Sequence, residues 1–263
     1  MINKNIKKSG YIRKEMKAGY IFGIIKFFHD ENHLKELCAG KLYCNTPEYY
    51  RMNYKEGVAD TNESISMSYR KNRGDEGIIF KIGGHQLHGI ENLTFRGTGM
   101  KDRWLHCWTL IRIPADAEEN EKLFNDISQM HRKFGPHYAY VLPEKIIPFI
   151  DRIRSLISLP VCGYEVKYSR DPLEWSPKCK SETFRYQREY RILIGECPEN
   201  SKEPLVIEDK VGFHEFVQKD VRFSFCSKYN DNDSVFFELN GSNDIVYQNE
   251  IKPNSNAGPK TQP

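Results

Sequence analysis

FRYQREYRILIG, residues 184–195, alternates apolar and polar side chains as a β-strand does, yet it carries four charged residues and a glutamine. A period of two puts Arg185, Gln187, Glu189, Arg191 and Leu193 on one face and Phe184, Tyr186, Arg188, Tyr190, Ile192 and Ile194 on the other. Arg188 alone interrupts the apolar face, which reads as core. The opposite face is nearly all polar, and two readings of it stand. A half-buried antiparallel strand would carry Arg–Glu pairs on its solvent side, with Arg185 and Arg191 partnering Glu189. A strand lining a cleft would instead present Gln187 and Glu189 to a ligand, one strand repeat or roughly 6–7 Å apart. That pair suits glycosyl transfer, because a carboxylate can hold a ribose hydroxyl and stabilise an oxocarbenium-like transition state while the amide orients the acceptor.

Outward from this stretch, GYIFGIIKFFH (19–29) and RWLHCWTLIRI (103–113) read as the strongest strands. DENHLKELCAG (30–40) predicts a short helix with Asp30 as N-cap and Gly40 as its stop. Residues 116–134 predict a longer one, with Asp116 as cap, acids in the first turns, Leu123, Ile127, Met130 and Phe134 at helical spacing, and Gly135 at the end. HYAYVL (137–142) reads as strand and EKIIPFIDRIRSLI (144–157) as helix. GYEVKYS (163–169), EPLVIED (203–209), VRFSFCS (221–227) and VFFELN (235–240) add strands, as do the shorter IIFKI (78–82) and ENLTFRG (91–97). Residues 56–77 are polar and glycine-punctuated, a long ordered loop or small insertion. Strands at both ends with helices between, and no regular strand–helix alternation, imply an α+β fold with a mostly antiparallel sheet and short flanking helices. The organisation expected is a basic extension (1–18), one domain (19–245) and a polar, flexible tail (246–263).

With 263 residues, 39% hydrophobic and 13% aromatic content, the chain can bury a substantial core. Its net charge of +3 permits an anionic partner without demanding one. Seven cysteines without a CxxC pair argue for reduced thiols in a cytoplasmic protein. The N-terminal MINKNIKKSGYIRKEMK has no signal-type apolar segment, and no apolar run approaches the roughly 20 residues that span a bilayer. The absence of GxGxxG, Walker and HExxH motifs counts against dinucleotide redox chemistry, ATP hydrolysis and zinc proteolysis. His85 and His88 have a metal-like spacing but no neighbouring Cys or carboxylate to complete a ligand set. His106 and Cys107 are adjacent on a strand, so they face opposite ways and cannot form a dyad with each other.

The Gln-x-Glu of residues 187–189, late in a mostly antiparallel protein, resembles the signature of mono-ADP-ribosyltransferases. KFFH (26–29) and HCWT (106–109) stand in the order of that family's two earlier strand motifs. The departures are Lys26 and His29 where the family usually has Arg or His, and Cys107-Trp108-Thr109 where many members have Ser-Thr-Ser. Over residues 19–210, through KFFHDENHLKELCAGKLYCNTPEYYR, HCWT, FRYQREYRILI and EPLVIED, the chain also resembles bacterial proteins of the DUF2971-like type. These are regarded as ADP-ribosyltransferase-like and linked to phage defence or toxin–antitoxin modules, an mRNA-modifying toxin of a toxin–antitoxin–chaperone system among them.

The resemblance implies a split antiparallel sheet with NAD as co-substrate in its cleft. Glu189 and Gln187 would be catalytic, Glu189 stabilising the ribosyl cation and Gln187 positioning the acceptor. Lys26 and His29 would hold ribose or phosphates, and Thr109 would brace Glu189. Tyr43, Tyr49 or Tyr50 can stack on nicotinamide and Arg51 can hold pyrophosphate, although core tyrosines and a surface arginine read equally well. Asp60 and Glu63 are acceptor-site residues or, more simply, loop carboxylates that cap turns. The acceptor that the resemblance to the mRNA-modifying toxin implies is RNA ahead of DNA or protein; the basic YRKNRG (69–74) and many aromatics suit phosphates and bases, and the same composition suits a protein acceptor. An antitoxin and a chaperone would be partners, and no membrane is involved. The rival expectation is a non-catalytic module that binds a nucleotide, a nucleic acid or a protein.

Overall fold

Two largely apolar strands form the centre of the fold in the computed structural model, which describes residues 17–228, 233–239 and 245–251. Strand β1 (Ile21–Phe28) leads into helix α1 (Glu31–Cys38), strand β2 (Lys41–Cys44) and the short helix α2 (Pro47–Arg51). An excursion of small hairpins follows: β3 (Met67–Arg70), β4 (Phe80–Ile82), β5 (His85–Leu87) and β6 (Asn92–Phe95). The chain returns through the long β7 (Trp104–Arg112), helix α3 (Ala117–Phe134), β8 (His137–Val141) and helix α4 (Ile146–Leu156). Then come β9 (Val161–Glu165), β10 (Lys167–Ser169), β11 (Cys179–Ser181), β12 (Glu189–Ile194), β13 (Leu205–Glu208) and β14 (Val217–Lys219). A meander of β15 (Phe223–Lys228), β16 (Asp233–Leu239) and β17 (Ile245–Ile251) ends the described chain.

The main sheet has six strands in the order β14-β8-β1-β7-β12-β9, every pair antiparallel, and smaller sheets surround it. The fold is therefore α+β with a mostly antiparallel sheet, as the pattern of elements implies. Helices α1 and α4 cover one face, where Ile24, Trp108, Leu110, Phe149 and Ile192 form the larger core. Helix α3 covers the other, over Ile25, Phe27, Ile111, Tyr138 and Tyr140. Helices α1 and α3 are held by the caps read from sequence: Asp30 accepts from the Asn32 amide and Asp116 from the Glu119 amide. Gly135 ends α3 at φ 108°, where an added Cβ would lie 2.3 Å from the Phe28 carbonyl oxygen.

Local pattern misleads at three places and leaves a fourth, around Pro47, without an assignment. Residues 184–195 are not one strand: Glu182–Gln187 form a 3₁₀ turn, Arg188 takes the left-handed conformation (φ 44°), and only Glu189–Ile194 pair in the sheet. The polar face of β12 is not a solvent face either, because Glu189, Arg191 and Leu193 are all buried. GYEVKYS breaks at Val166 into strands of two different sheets, β9 in the main sheet and β10 paired in parallel with β11. The stretch around Pro47 is helix α2, with Thr46 as N-cap and Pro47 in the first turn, where its missing N–H costs no hydrogen bond. Residues 246–251, expected in the polar tail, belong to β17, whose Ile245, Val246 and Tyr247 favour strand and pair with β16. Residues 252–263 and most of the expected N-terminal extension lie outside the described residues.

Candidate functional site

The ladder between β1 and β7 runs through Ile21, Gly23, Ile24 and Ile25 and stops at the Ile25–Thr109 rung. Beyond it β1 continues beside β8 alone, through Lys26, Phe27 and Phe28, while β7 continues beside β12. The sheet thus splits, and Thr109 faces Ile25 on one side and Glu189 on the other, so Glu189 stands in the last row before the strands part. A cavity of about 100 Å³ occupies the opening, with Lys26 and Phe27 on one bank and Cys107, Trp108 and Thr109 on the other. Tyr50, Gly57, Val58, Glu63, Lys180, Gln187 and Glu189 close it.

Behind the cavity lies a buried network of opposite charges. Arg191, with no exposed surface, donates from Nε to Glu189 Oε1 (2.7 Å) and from Nη2 to Glu63 Oε2 (2.8 Å). Lys180 Nζ lies 3.3 Å from both Glu189 Oε2 and Glu63 Oε2 and 3.5 Å from Asp60 Oδ2. The same ammonium donates to Gln187 Oε1 (2.9 Å), and Gln187 Nε2 donates to the Gly57 carbonyl (2.9 Å). The left-handed Arg188 turns the chain so that Gln187 and Glu189, although on no common strand, both reach Lys180.

Arg191 and Lys180 overcome the cost of burial at Glu189 and Glu63 and hold both carboxyls below the usual glutamate range. Asp60 goes the other way, since burial and the neighbouring Glu63 charge raise its pKa against the pull of Lys180. Three carboxyls face two cations, and Asp60 is the one whose carboxyl is pushed toward the protonated form. Lys26 is half-buried; its ammonium donates to the Cys107 carbonyl (2.8 Å) across the split, and burial lowers its pKa. The Cys107 thiol is pushed far up by burial and by Glu189, which makes it a poor nucleophile.

Of the residues singled out from sequence, Glu189, Gln187, Lys26, Tyr50 and Thr109 line one cavity. No hydrogen bond joins Thr109 to Glu189; Thr109 is its cross-strand neighbour, and the Cys107 thiol supplies the contact from β7. His29 lies outside the cavity, exposed beyond the end of β1, with Nε2 against the Lys133 carbonyl (2.9 Å). Tyr43 is on β2 at the molecular surface, its ring beside Lys41. Arg51 is neither a surface charge nor free for a pyrophosphate. It is fully buried and bonded to both oxygens of Asp102 (2.8 and 2.9 Å), and it donates from Nε and Nη2 to the Glu63 carbonyl (2.9 and 2.8 Å).

That last contact fixes the loop carrying Asp60 and Glu63, in which Ser64 takes the left-handed conformation (φ 63°) and the Glu63 carboxylate accepts from Arg191. The YRKNRG stretch is not an exposed basic loop: Arg70 is buried on Glu48 and Arg73 is paired with Asp75, leaving Lys71 exposed. Lys180, the hub of the network, carries no signal in the proline-bearing segment before it. Arg191 was legible as Glu189's same-face neighbour. Among the described residues no group of three or more His, Cys, Asp or Glu is arranged to hold a metal ion, the six described cysteines are free thiols, and no helix is long and apolar enough to cross a membrane. Comparisons with family models, with curated proteins and with solved structures return no match for the chain.

Proposed function

We propose that this chain is an NAD-dependent mono-ADP-ribosyltransferase, a toxin or defence effector of the cytoplasm that modifies a macromolecular acceptor, RNA first among the candidates. An antitoxin and a chaperone would be its partners. NAD enters the split with its nicotinamide ribose against Glu189. As the glycosidic C–N bond breaks, nicotinamide leaves with the bonding electrons, and positive charge gathers on C1′ and the ring oxygen beside the carboxylate. The acceptor nucleophile then bonds to C1′ and releases its proton. What supports this reading is the position of Glu189: an ionised carboxylate on the last row before β1 and β7 part, walling a cavity with Gln187 next to it.

A second reading, a binding module without catalysis, has its own observation. Arg191, Lys180 and Cys107 already occupy the Glu189 carboxylate, and a cavity of about 100 Å³ is below the ~150 Å³ of an apolar cavity that takes up benzene. On the enzymatic reading the Gly57–Val58 turn, clasped by Gln187, moves outward to admit the dinucleotide. Incubation with labelled NAD and with RNA, DNA or lysate separates the two. Label transfer, or nicotinamide release, that disappears in Glu189→Gln supports the enzyme; no NAD binding by calorimetry sinks it.

A further inference from the structure

A second concavity lies on the far side of the segment 185–189 from the cavity, a groove of about 460 Å³ between α3 and β10, floored by Leu110 and Val166. Five cationic side chains line it: Arg112, Lys122, Lys167, Arg185 and Arg188, against the carboxylates Asp126 and Glu165. The three arginines are pinned. Arg112 pairs with Glu165, Arg188 with Asp126 (2.7 Å), and Arg185 takes both oxygens of Glu182 (2.6 and 2.7 Å) just off the lining. Each guanidinium keeps further N–H groups for a ligand. Lys122 and Lys167 are exposed and make no ion pair among the described residues, although Lys122 stands within electrostatic reach of Asp126 and Glu182. The groove runs on past Arg112, Lys122 and Arg188 into a further hollow of about 240 Å³.

We propose that this groove is a binding site for the phosphoryl groups of a phosphate ester. Fixed guanidiniums and two exposed ammoniums that make no ion pair among the described residues, set in a concave, half-desolvated wall, are the arrangement that recognises phosphate oxygens. Tyr168 adds a ring to the wall, with Arg185 over its face at 5.5 Å and its hydroxyl accepting from the Glu189 amide (2.7 Å). A ligand in the groove therefore touches the residue that anchors the start of β12. The inference does not rest on transferase chemistry in the cavity, and its test reads binding alone.

The test is a titration of the full chain with two probes, inorganic pyrophosphate and fluorescein-labelled single-stranded oligonucleotides of increasing length. The same titrations use Lys122→Ala/Lys167→Ala and, as a control for general basicity, Lys81→Ala on the exposed β4–β5 hairpin. The double variant is expected to lose at least ~10-fold in affinity while Lys81→Ala is unchanged, and the log–log salt slope on a strand should flatten by roughly 1.4, at ~0.7 per phosphate contact. Saturation by pyrophosphate identifies a free phosphate ester as the source; affinity that grows with oligonucleotide length identifies a strand. No saturable binding of either probe, or binding that the double variant leaves intact, overturns the proposal.

Discussion

Glu189 serves two masters. On the transferase reading it stabilises charge that exists only in the transition state, so Glu189→Gln is expected to lower kcat by ~10²–10³ with KM for NAD little changed. The same change removes a buried partner from Arg191 and Lys180, and urea unfolding must show a folded variant before the rate is interpreted. Cys107 offers an independent check on the cavity. With burial and the Glu189 charge holding its thiol protonated, native protein at pH 8 should leave the Cys107 peptide unalkylated by iodoacetamide, and urea should expose it; mass analysis of the peptides reads the result. Rapid labelling of the folded protein would mean that the cavity opens freely.

At the scale of elements, the loop with Asp60 and Glu63 is held to α2 through Arg51. Arg51→Met should leave Asp102 and Glu48 buried without that guanidinium and release the Glu63 carbonyl, a loss of about 3–5 kcal/mol in chemical unfolding. Here the limits of sequence reading have a physical cause. Asp30, Asp116 and Gly135 act through neighbours a few residues away, so helices α1 and α3 were legible in local pattern. Arg51, Glu63 and Lys180 act through partners far along the chain, and a buried ion network leaves no periodic trace. FRYQREYR misled for a related reason: alternation continues through its letters although a left-handed Arg188 has already broken the strand. Tertiary contacts, Lys180 and Gly57 on Gln187 among them, hold that turn in place.

For the whole molecule, the buried carboxylates govern the response to acid. Glu189, Glu63 and Glu48 all have their pKa lowered in the folded state by buried cations. Their contribution to stability is complete above the ordinary glutamate value of 4.5 and is lost as pH falls below it toward the lowered values. Asp60, raised by burial, has the opposite sign and favours the folded state through its protonated form. Asp209, paired with Arg152, is lowered too and Asp126 is raised, so the lowered groups outnumber the raised ones; the unfolding midpoint in urea should drop steeply below about pH 4.5, and Glu63→Gln should flatten that dependence. A midpoint that stays level down to pH 3 would contradict the paired state of these carboxylates.

The parting of β1 from β7 makes the width of the opening a property of side chains. Main-chain rungs end at Ile25 and Thr109, and past them the side-chain hydrogen bond between the two banks, among the described residues, is the Lys26 ammonium on the Cys107 carbonyl. A door held by a single latch can be re-hung without rebuilding its frame. Exchanges at Lys26 can therefore retune what the mouth admits while every strand of the ladder stays in register.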